Sequence, residues 1–259
     1  HSIIITIQFF KILMDEQFHK LSKLLFKSKR LVILTGAGIS TSSGLPDFRG
    51  DDGFWKANKP IDFRDFLSSN DARVTSWKRN IILNERLKEM RPNSGHFFVK
   101  KLIEDKPEST LITQNIDGLH QKSGLDENKI IEIHGNATAA RCVNCKKTFS
   151  LESFHDAVTN NSDIPNCNKC DSLVKVATIS FGQPMPKDDL ELAISATKSC
   201  DVFLVLGSSL IVEPVASLPK IALENNAKLI IINKGDTPYD ELAQISIKNE
   251  ITSIADKFL

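Results

Sequence analysis

The chain is poor in the residues that would mark a special environment: in 259 residues it has one tyrosine, two tryptophans, three methionines and five cysteines. It also lacks a charge excess, because 33 Lys and Arg face 32 Asp and Glu for a formal net charge of +1. That balance gives no electrostatic footprint for nucleic acid and no polybasic anchor, so neither a direct nucleic-acid partner nor a membrane is expected. Long hydrophobic runs are missing too. The stretch Ile3 to Leu13 is interrupted by Thr6, Gln8 and Lys11; it is too short to span a bilayer and has neither a basic leader nor a small-residue cleavage site. An intracellular protein, cytoplasmic in the first instance, is expected. The oligomeric state is left open. Residues 1–13 read as upstream sequence, with Met14 opening a hydrophilic, helix-like segment, and are set apart from the fold.

What is present is ordinary globular composition, 41% hydrophobic and 25% charged, which excludes both a disordered and a fibrous chain. The length exceeds one typical domain and falls short of two, so one large domain with a small insertion is expected. From Asp15 to Lys27 the apolar residues Phe18, Leu21, Leu24 and Leu25 recur at helical spacing. The run Leu31 to Thr35 then reads as a strand buried on both faces, ending in Gly36-Ala37-Gly38. Runs of the same kind are Thr110 to Thr113, Ile130 to Ile133, Val202 to Leu206 and Leu229 to Ile232, and several end in small or polar residues, as parallel strands do at a ligand crevice. The predicted fold is α/β, a Rossmann-like doubly wound parallel sheet with a smaller zinc-binding and helical domain inserted. The large domain is assigned 14–49, 85–136 and 183–259, the small one 50–84 and 137–182.

Cys142, Cys145, Cys167 and Cys170 form two CxxC knuckles separated by 21 residues. Four thiolates at that spacing suit a tetrahedral zinc ion with no open position, hence a structural metal. Arg141, Lys146, Lys147 and Lys169 stand beside them to offset the negative charge. Two disulfides or a thioredoxin-like pair are the alternatives. Cys200 stands alone next to an apolar run and reads as core.

The turn from Gly36 to Thr41 begins like a dinucleotide fingerprint, with glycines for close approach to a pyrophosphate and amides at a helix start, but Thr41 takes the place of the third glycine. An ordinary strand-to-helix turn is the alternative. The sequel Ser43 to Gly50, followed by Phe54 and Trp55, suits a lid over a charged planar ligand. Gln114, Asn115, Ile116 and Asp117 follow a strand directly, where they could bond a carboxamide and ribose hydroxyls or simply cap a helix. His134 ends another strand as a core histidine or a general base. Gly207-Ser208-Ser209 and Asn233 end two more strands; a ribose-binding acid is absent at Asn233, which argues against a standard hydride-transfer enzyme.

Taken in order, GAGIS, SGLPDFRG, TQNIDGLH, IEIHG, the paired CxxC, ISFGQ, LGSSL and IIN resemble the sirtuin family of NAD-dependent protein deacylases from Leu31 to Asn233. The resemblance implies a cleft between the two domains that holds NAD and an acylated-lysine peptide. Gly36, Ala37, Gly38, Ser40 and the loop through Asp47, Phe48 and Arg49 would hold the diphosphate and cover nicotinamide. Gln114, Asn115, Ile116 and Asp117 would bind ribose and carboxamide, Gly207, Ser208, Ser209 and Asn233 the adenosine side. Catalysis would rest on His134 as base with Asn115 and Asp117. The peptide would add as a strand between Ile179, Phe181, Gly182 and Ile211, Val212, Glu213. Gln183 replaces a glutamate frequent in the family, Asn249 a small glycine. The Tyr-x-x-Arg pair of relatives that prefer acidic acyl groups is impossible, since the sole tyrosine is Tyr239, so an uncharged acyl group, acetyl first, is expected. ADP-ribosyl transfer, longer acyl chains, a non-enzymatic binding module and a zinc dehydrogenase are the rival readings.

Overall fold

A computed structural model of the chain describes residues 16–45, 60–160 and 164–259. Among them are the strands β1 (Leu31–Thr35), β2 (Thr110–Thr113), β3 (Ile130–Glu132), β4 (Gly135–Cys142), β5 (Thr148–Ser150), β6 (Val174–Thr178), β7 (Val202–Leu206), β8 (Lys228–Ile232) and β9 (Ile245–Ile247). Six of these form one sheet in the order β3-β2-β1-β7-β8-β9, all pairs parallel. From β1 the chain builds outward to β2 and β3, then returns to the other side for β7, β8 and β9. The switch point therefore lies between β1 and β7, where an open parallel sheet has its ligand crevice.

The apolar runs read from the sequence are these strands, because β-branched residues buried on both faces leave water only when both faces are covered. Leu31, Ile33, Leu204 and Ile230 face one core and Val32, Leu34, Val205 and Ile231 the other. The helix α1 (residues 16–27) covers the first face through Leu21 and Leu25, as its periodicity predicts. Two details differ. The edge strand β9 escaped the sequence reading because Ile245-Ser246-Ile247 is too short to show a pattern. The strand carrying the Ile130 run is half-buried, not buried, because it pairs only with β2 and forms the other edge.

A second, antiparallel sheet, β5-β4-β6, carries the cysteines. The segment after residue 59 forms two helices, α2 (Phe63–Ser68) and α3 (Asn70–Glu89), capped by Asp62 and Ser69. These helices share a core with the small sheet. Trp77 of α3 stacks on Phe154 at 4.7 Å and donates its indole N–H to the Val174 carbonyl at 3.2 Å. At the other end of α3 the Lys122 ammonium bonds the carbonyls of Leu87, Lys88 and Met90, at 2.6, 3.2 and 3.2 Å, which satisfies the orphan acceptors of a helix C-terminus. Among the described residues no helix is long and apolar enough to cross a membrane.

Gly135, which opens β4 directly after His134, is tightly packed against β6 of its own sheet. Its φ is +75° and a Cβ there would run into the Ala177 carbonyl oxygen of β6. Gly135→Ala is therefore expected to cost about 3 kcal/mol of stability or more, read as a lower urea midpoint at unchanged m-value.

Candidate active site

A cleft of roughly 860 Å³ opens at the carboxyl ends of the large sheet. Each strand delivers its residues in turn: Gly36, Ala37 and Gly38 after β1; Gln114, Asn115 and Ile116 after β2; His134 after β3. From the other half come Gly207, Ser208 and Ser209 after β7 and Asn233 after β8. Ile179, Phe181 and Gly182 form one lip, and Ile211, Val212 and Glu213 also line it. Asn249 lines the same cleft, whereas Tyr239 does not.

The glycine turn after β1 departs from its expected form. It consists of two 3₁₀ turns, Ala37–Ile39 and Thr41–Ser43, rather than the start of an α-helix. Its glycines are also explained by the protein itself. The Gly38 amide donates to the Gly207 carbonyl at 2.9 Å, and a Cβ on Gly207, whose φ is +67°, would lie 2.5 Å from the Ile39 nitrogen. The two loops thus meet backbone to backbone at the switch point, and only small residues permit the contact.

His134 is half-buried, and its Nδ1 lies 3.1 Å from the Gln114 carbonyl oxygen. A carbonyl can only accept, so Nδ1 carries a proton, and in the neutral imidazole Nε2 then holds the lone pair. Gln114 is itself held twice, its amide donating to the Thr35 carbonyl at 2.9 Å and its Oε1 accepting from Ser208 Oγ at 2.6 Å. The imidazole is bracketed in sequence by Glu132 and Asn136, whose side chains are joined by a bond from Asn136 Nδ2 at 2.6 Å while Gln121 Nε2 donates to the same carboxylate oxygen at 2.7 Å.

Ser40 and Asp117 do not line the cleft; both are buried behind its wall. Ser40 Oγ donates to Asp117 Oδ2 at 2.7 Å and accepts from Asn115 Nδ2 at 3.1 Å. The other Asp117 oxygen accepts from the Leu119 amide at 2.9 Å, so the capping alternative is part of what this residue does. Burial pushes the Asp117 carboxyl up, against the pull of those bonds. Asn115 Oδ1 is buried and has no partner among the described residues. A buried amide oxygen of this kind calls for a donor, such as the N–H of a ligand carboxamide.

The four cysteines are unbridged. Cys142 and Cys170 sulfurs lie 3.5 Å apart and Cys145 and Cys167 sulfurs 3.6 Å apart, with all four within 4.8 Å of one another. Sulfurs of a tetrahedral zinc site, each about 2.3 Å from the ion, stand about 3.8 Å apart. The cluster therefore fits a four-coordinate Zn2+, and its closest sulfur pairs stand well beyond the ~2.05 Å of a disulfide bond. Cys200 is buried, donates to the Thr197 carbonyl at 3.2 Å and has its thiol pushed up to about 12 by burial, as a core residue should.

A profile described as Sir2 family matches residues 36–214. The chain belongs to the Sir2 family. It is 41% identical over 232 residues to the NAD-dependent protein deacetylase of Rhodopseudomonas palustris, covering 90% of this chain and 92% of the relative. It is 35% identical over 247 residues to NAD-dependent protein deacylase 2 of Archaeoglobus fulgidus, covering 95% and 96%. Among solved structures, a Sir2 complex with a p53 peptide and NAD+ superposes with a TM-score of 0.79 at 36% identity, covering 92% of this chain and 95% of that one. Sir2Tm bound to a propionylated peptide gives a TM-score of 0.79 at 36% identity, with 93% and 96% covered.

Of the site residues read from the sequence of this Sir2 chain, Asp47, Phe48 and Arg49 lie outside the described residues. Conversely, two buried histidines were missed. His96 Nδ1 accepts from the Asn93 amide at 3.2 Å, so its Nε2–H faces Ser40 Oγ at 3.4 Å. His120 Nε2 lies 3.1 Å from Thr35 Oγ1, and the two rings are 4.9 Å apart. The Asn93-x-x-His96 capping box was the available signal.

Burial pushes His96 down to about 4, and burial first, then His96, pushes His120 well below its ordinary value. Both are neutral near pH 7. Because their folded values lie below the ordinary 6.5 of the unfolded chain, the unfolded state binds more protons between pH 6.5 and 4, and stability falls as pH falls through that window. His96 alone is expected to contribute a loss of roughly 2 kcal/mol between about pH 7 and pH 4.5, measurable by urea unfolding at those two values. Asp117 and Glu132, pushed up by burial, act in the opposite sense. A flatter slope in His96→Gln isolates the histidine; an identical slope would refute the assignment.

Proposed function

We propose that this chain removes acyl groups, acetyl first, from protein lysines with consumption of NAD and one water, releasing free lysine, nicotinamide and O-acyl-ADP-ribose. The observation that carries the reading is His134, its tautomer set by the Gln114 carbonyl, in one cleft with the strand-end glycines and the two lips. NAD supplies an activated anomeric carbon whose bond to nicotinamide breaks as the acyl oxygen attacks. Nε2 of His134 accepts the proton of a ribose hydroxyl. Asn115 Oδ1 accepts from the carboxamide, and Asp117 acts through Ser40 to hold the Asn115 amide in place, a positioning role. Asp47, Phe48 and Arg49 would act with Gly36, Ala37 and Gly38 on the diphosphate and nicotinamide, while Gly207, Ser208, Ser209 and Asn233 serve the adenosine side.

The peptide adds as a strand between Ile179, Phe181, Gly182 and Ile211, Val212, Glu213. The Ile179 amide donates to the His134 carbonyl at 2.8 Å, which couples that lip to the base. An uncharged acyl chain suits a cleft that Tyr239 does not line. The four cysteines hold structural zinc. The unit around NAD comprises 14–49, 85–136 and 183–259, and the smaller one 50–84 and 137–182, with α3 crossing the edge at residue 84 as one unbroken helix.

The test is incubation with an acetyl-lysine peptide with and without NAD, following peptide mass and released nicotinamide together. Loss of acetyl matched by nicotinamide supports the reading. Nicotinamide released while the peptide keeps its acetyl moves ADP-ribosyl transfer or longer acyl chains ahead, and no change in either supports a binding module.

A further inference from the structure

The lips that would grip the peptide carry charge as well as apolar surface. Phe181 and Ile211 are 50% and 58% exposed, an apolar residue on each side. Beside Ile211, Glu213 is exposed, and its Oε2 accepts from Ser217 Oγ at 2.8 Å, which restricts the carboxylate without neutralising it. Beside Phe181, the carboxylate of Asp62 packs on Gly182: a Cβ on that glycine would meet Asp62 Oδ2 at 2.7 Å. The Phe63 amide donates to the Phe181 carbonyl at 2.8 Å, so the start of α2 is fastened to this lip.

Among the described residues neither carboxylate is cancelled by a buried cation. Arg64 Nε lies 3.2 Å from Asp62 Oδ1, but the arginine side chain is 87% exposed, where an ion pair is weak. The backbone bond from Arg64 and that side chain hold the Asp62 carboxyl below its ordinary value, keeping it ionised at neutral pH. Gln183 on the same lip is neutral, and its Oε1 accepts from the Ser180 amide at 3.1 Å. Two described arginine or lysine side chains line the cleft: Lys234, which follows β8 and pairs with Glu250 at 2.5 Å, and Arg79 of α3.

We propose that the groove selects its acyl-lysine substrates by charge, with Glu213 on one lip and Asp62 packed against Gly182 of the other favouring lysines flanked by arginine or lysine over those flanked by aspartate or glutamate. This rests on the deacylase reading above. Strand addition binds any sequence through its backbone, so selectivity must come from side chains at the rims. Opposite charge there acts on encounter and affinity and leaves the bond-breaking step alone.

Three acetyl-lysine peptides of equal length, with Arg, Ala or Glu on both sides of the acetylated residue, test this in steady-state kinetics and in direct binding. The expected order of KM and Kd is Arg below Ala below Glu, about 3- to 10-fold from end to end, with similar kcat. The spread shrinks in about 0.5 M salt, since exposed charges are screened. It collapses in the double variant Glu213→Gln with Asp62→Asn, where the amide introduced before α2 caps a helix as well as the carboxylate does, and it shrinks in Glu213→Lys, where the new cation opposes the Asp62 carboxylate that remains. Equal affinities for the three peptides, or a spread that survives in the double variant, would overturn the proposal. Failure of the deacylase reading shows separately, as binding without NAD-dependent loss of acetyl, and the order of Kd values still decides the charge question.

Discussion

The His134→Ala protein is expected to fold as the parent does and to lose NAD-dependent deacylation by a factor of about 10² to 10⁴, the range for a positioned general base. The imidazole is half-buried and its Nδ1 bonds a backbone carbonyl. Removing it therefore leaves the Gln114 carbonyl one donor short but opens no cavity in either core. The loss should fall on kcat, since the base acts on a bond change rather than on binding, with peptide Kd nearly unaltered. Circular dichroism and urea unfolding check the fold, and nicotinamide release checks the chemistry. A variant that deacylates at more than about a tenth of the parent rate would remove His134 from the role of base and shift attention to solvent or another group in the cleft.

The second large effect is expected at the cysteine cluster. Cys142→Ala should lose the metal and unfold the small sheet, visible as absent zinc in elemental analysis and a broad, low thermal transition. Apparent zinc affinities of about 10–16 kcal/mol in small zinc-dependent folds match or exceed the whole stability of a typical domain. Two of the ligands are also core: Cys142 and Cys167 are buried with Phe66, Trp77, Phe154 and Val174. The damage should travel to the site, because β4 begins at Gly135, directly after His134, and β6 leads into Ile179. Loss of activity is thus expected although no cysteine lines the cleft. A folded, zinc-free and fully active Cys142→Ala protein would falsify the structural-metal assignment.

The amino-acid sequence by itself determined the parallel sheet, the cysteine knuckles and the family. Each is a local signal: a doubly buried strand must be a continuous apolar run, a zinc knuckle needs two cysteines three apart, and ordered motifs survive without any knowledge of packing. The strand-end residues lining the cleft were legible for the same reason, since they sit where those runs end, whereas the wall formed by Ser76, Arg79, Asn80 and Leu83 of α3 was not. What only the tertiary structure decided depends on segments far apart in the chain. The glycines at 36, 38 and 207 serve each other's close approach at the switch point, which neither loop reveals alone. Ser40 and Asp117, 77 residues apart, meet behind the wall instead of on it, and bring the unsuspected His96 with them. The tautomer of His134 follows from the carbonyl of a residue 20 positions earlier. The carboxylates of Asp62 and Glu213 acquire meaning only when α2 is fastened to one lip and the turn after β7 approaches the same cleft. Periodicity reports which face of an element is buried; it carries no information about which distant polar group that burial brings within bonding distance.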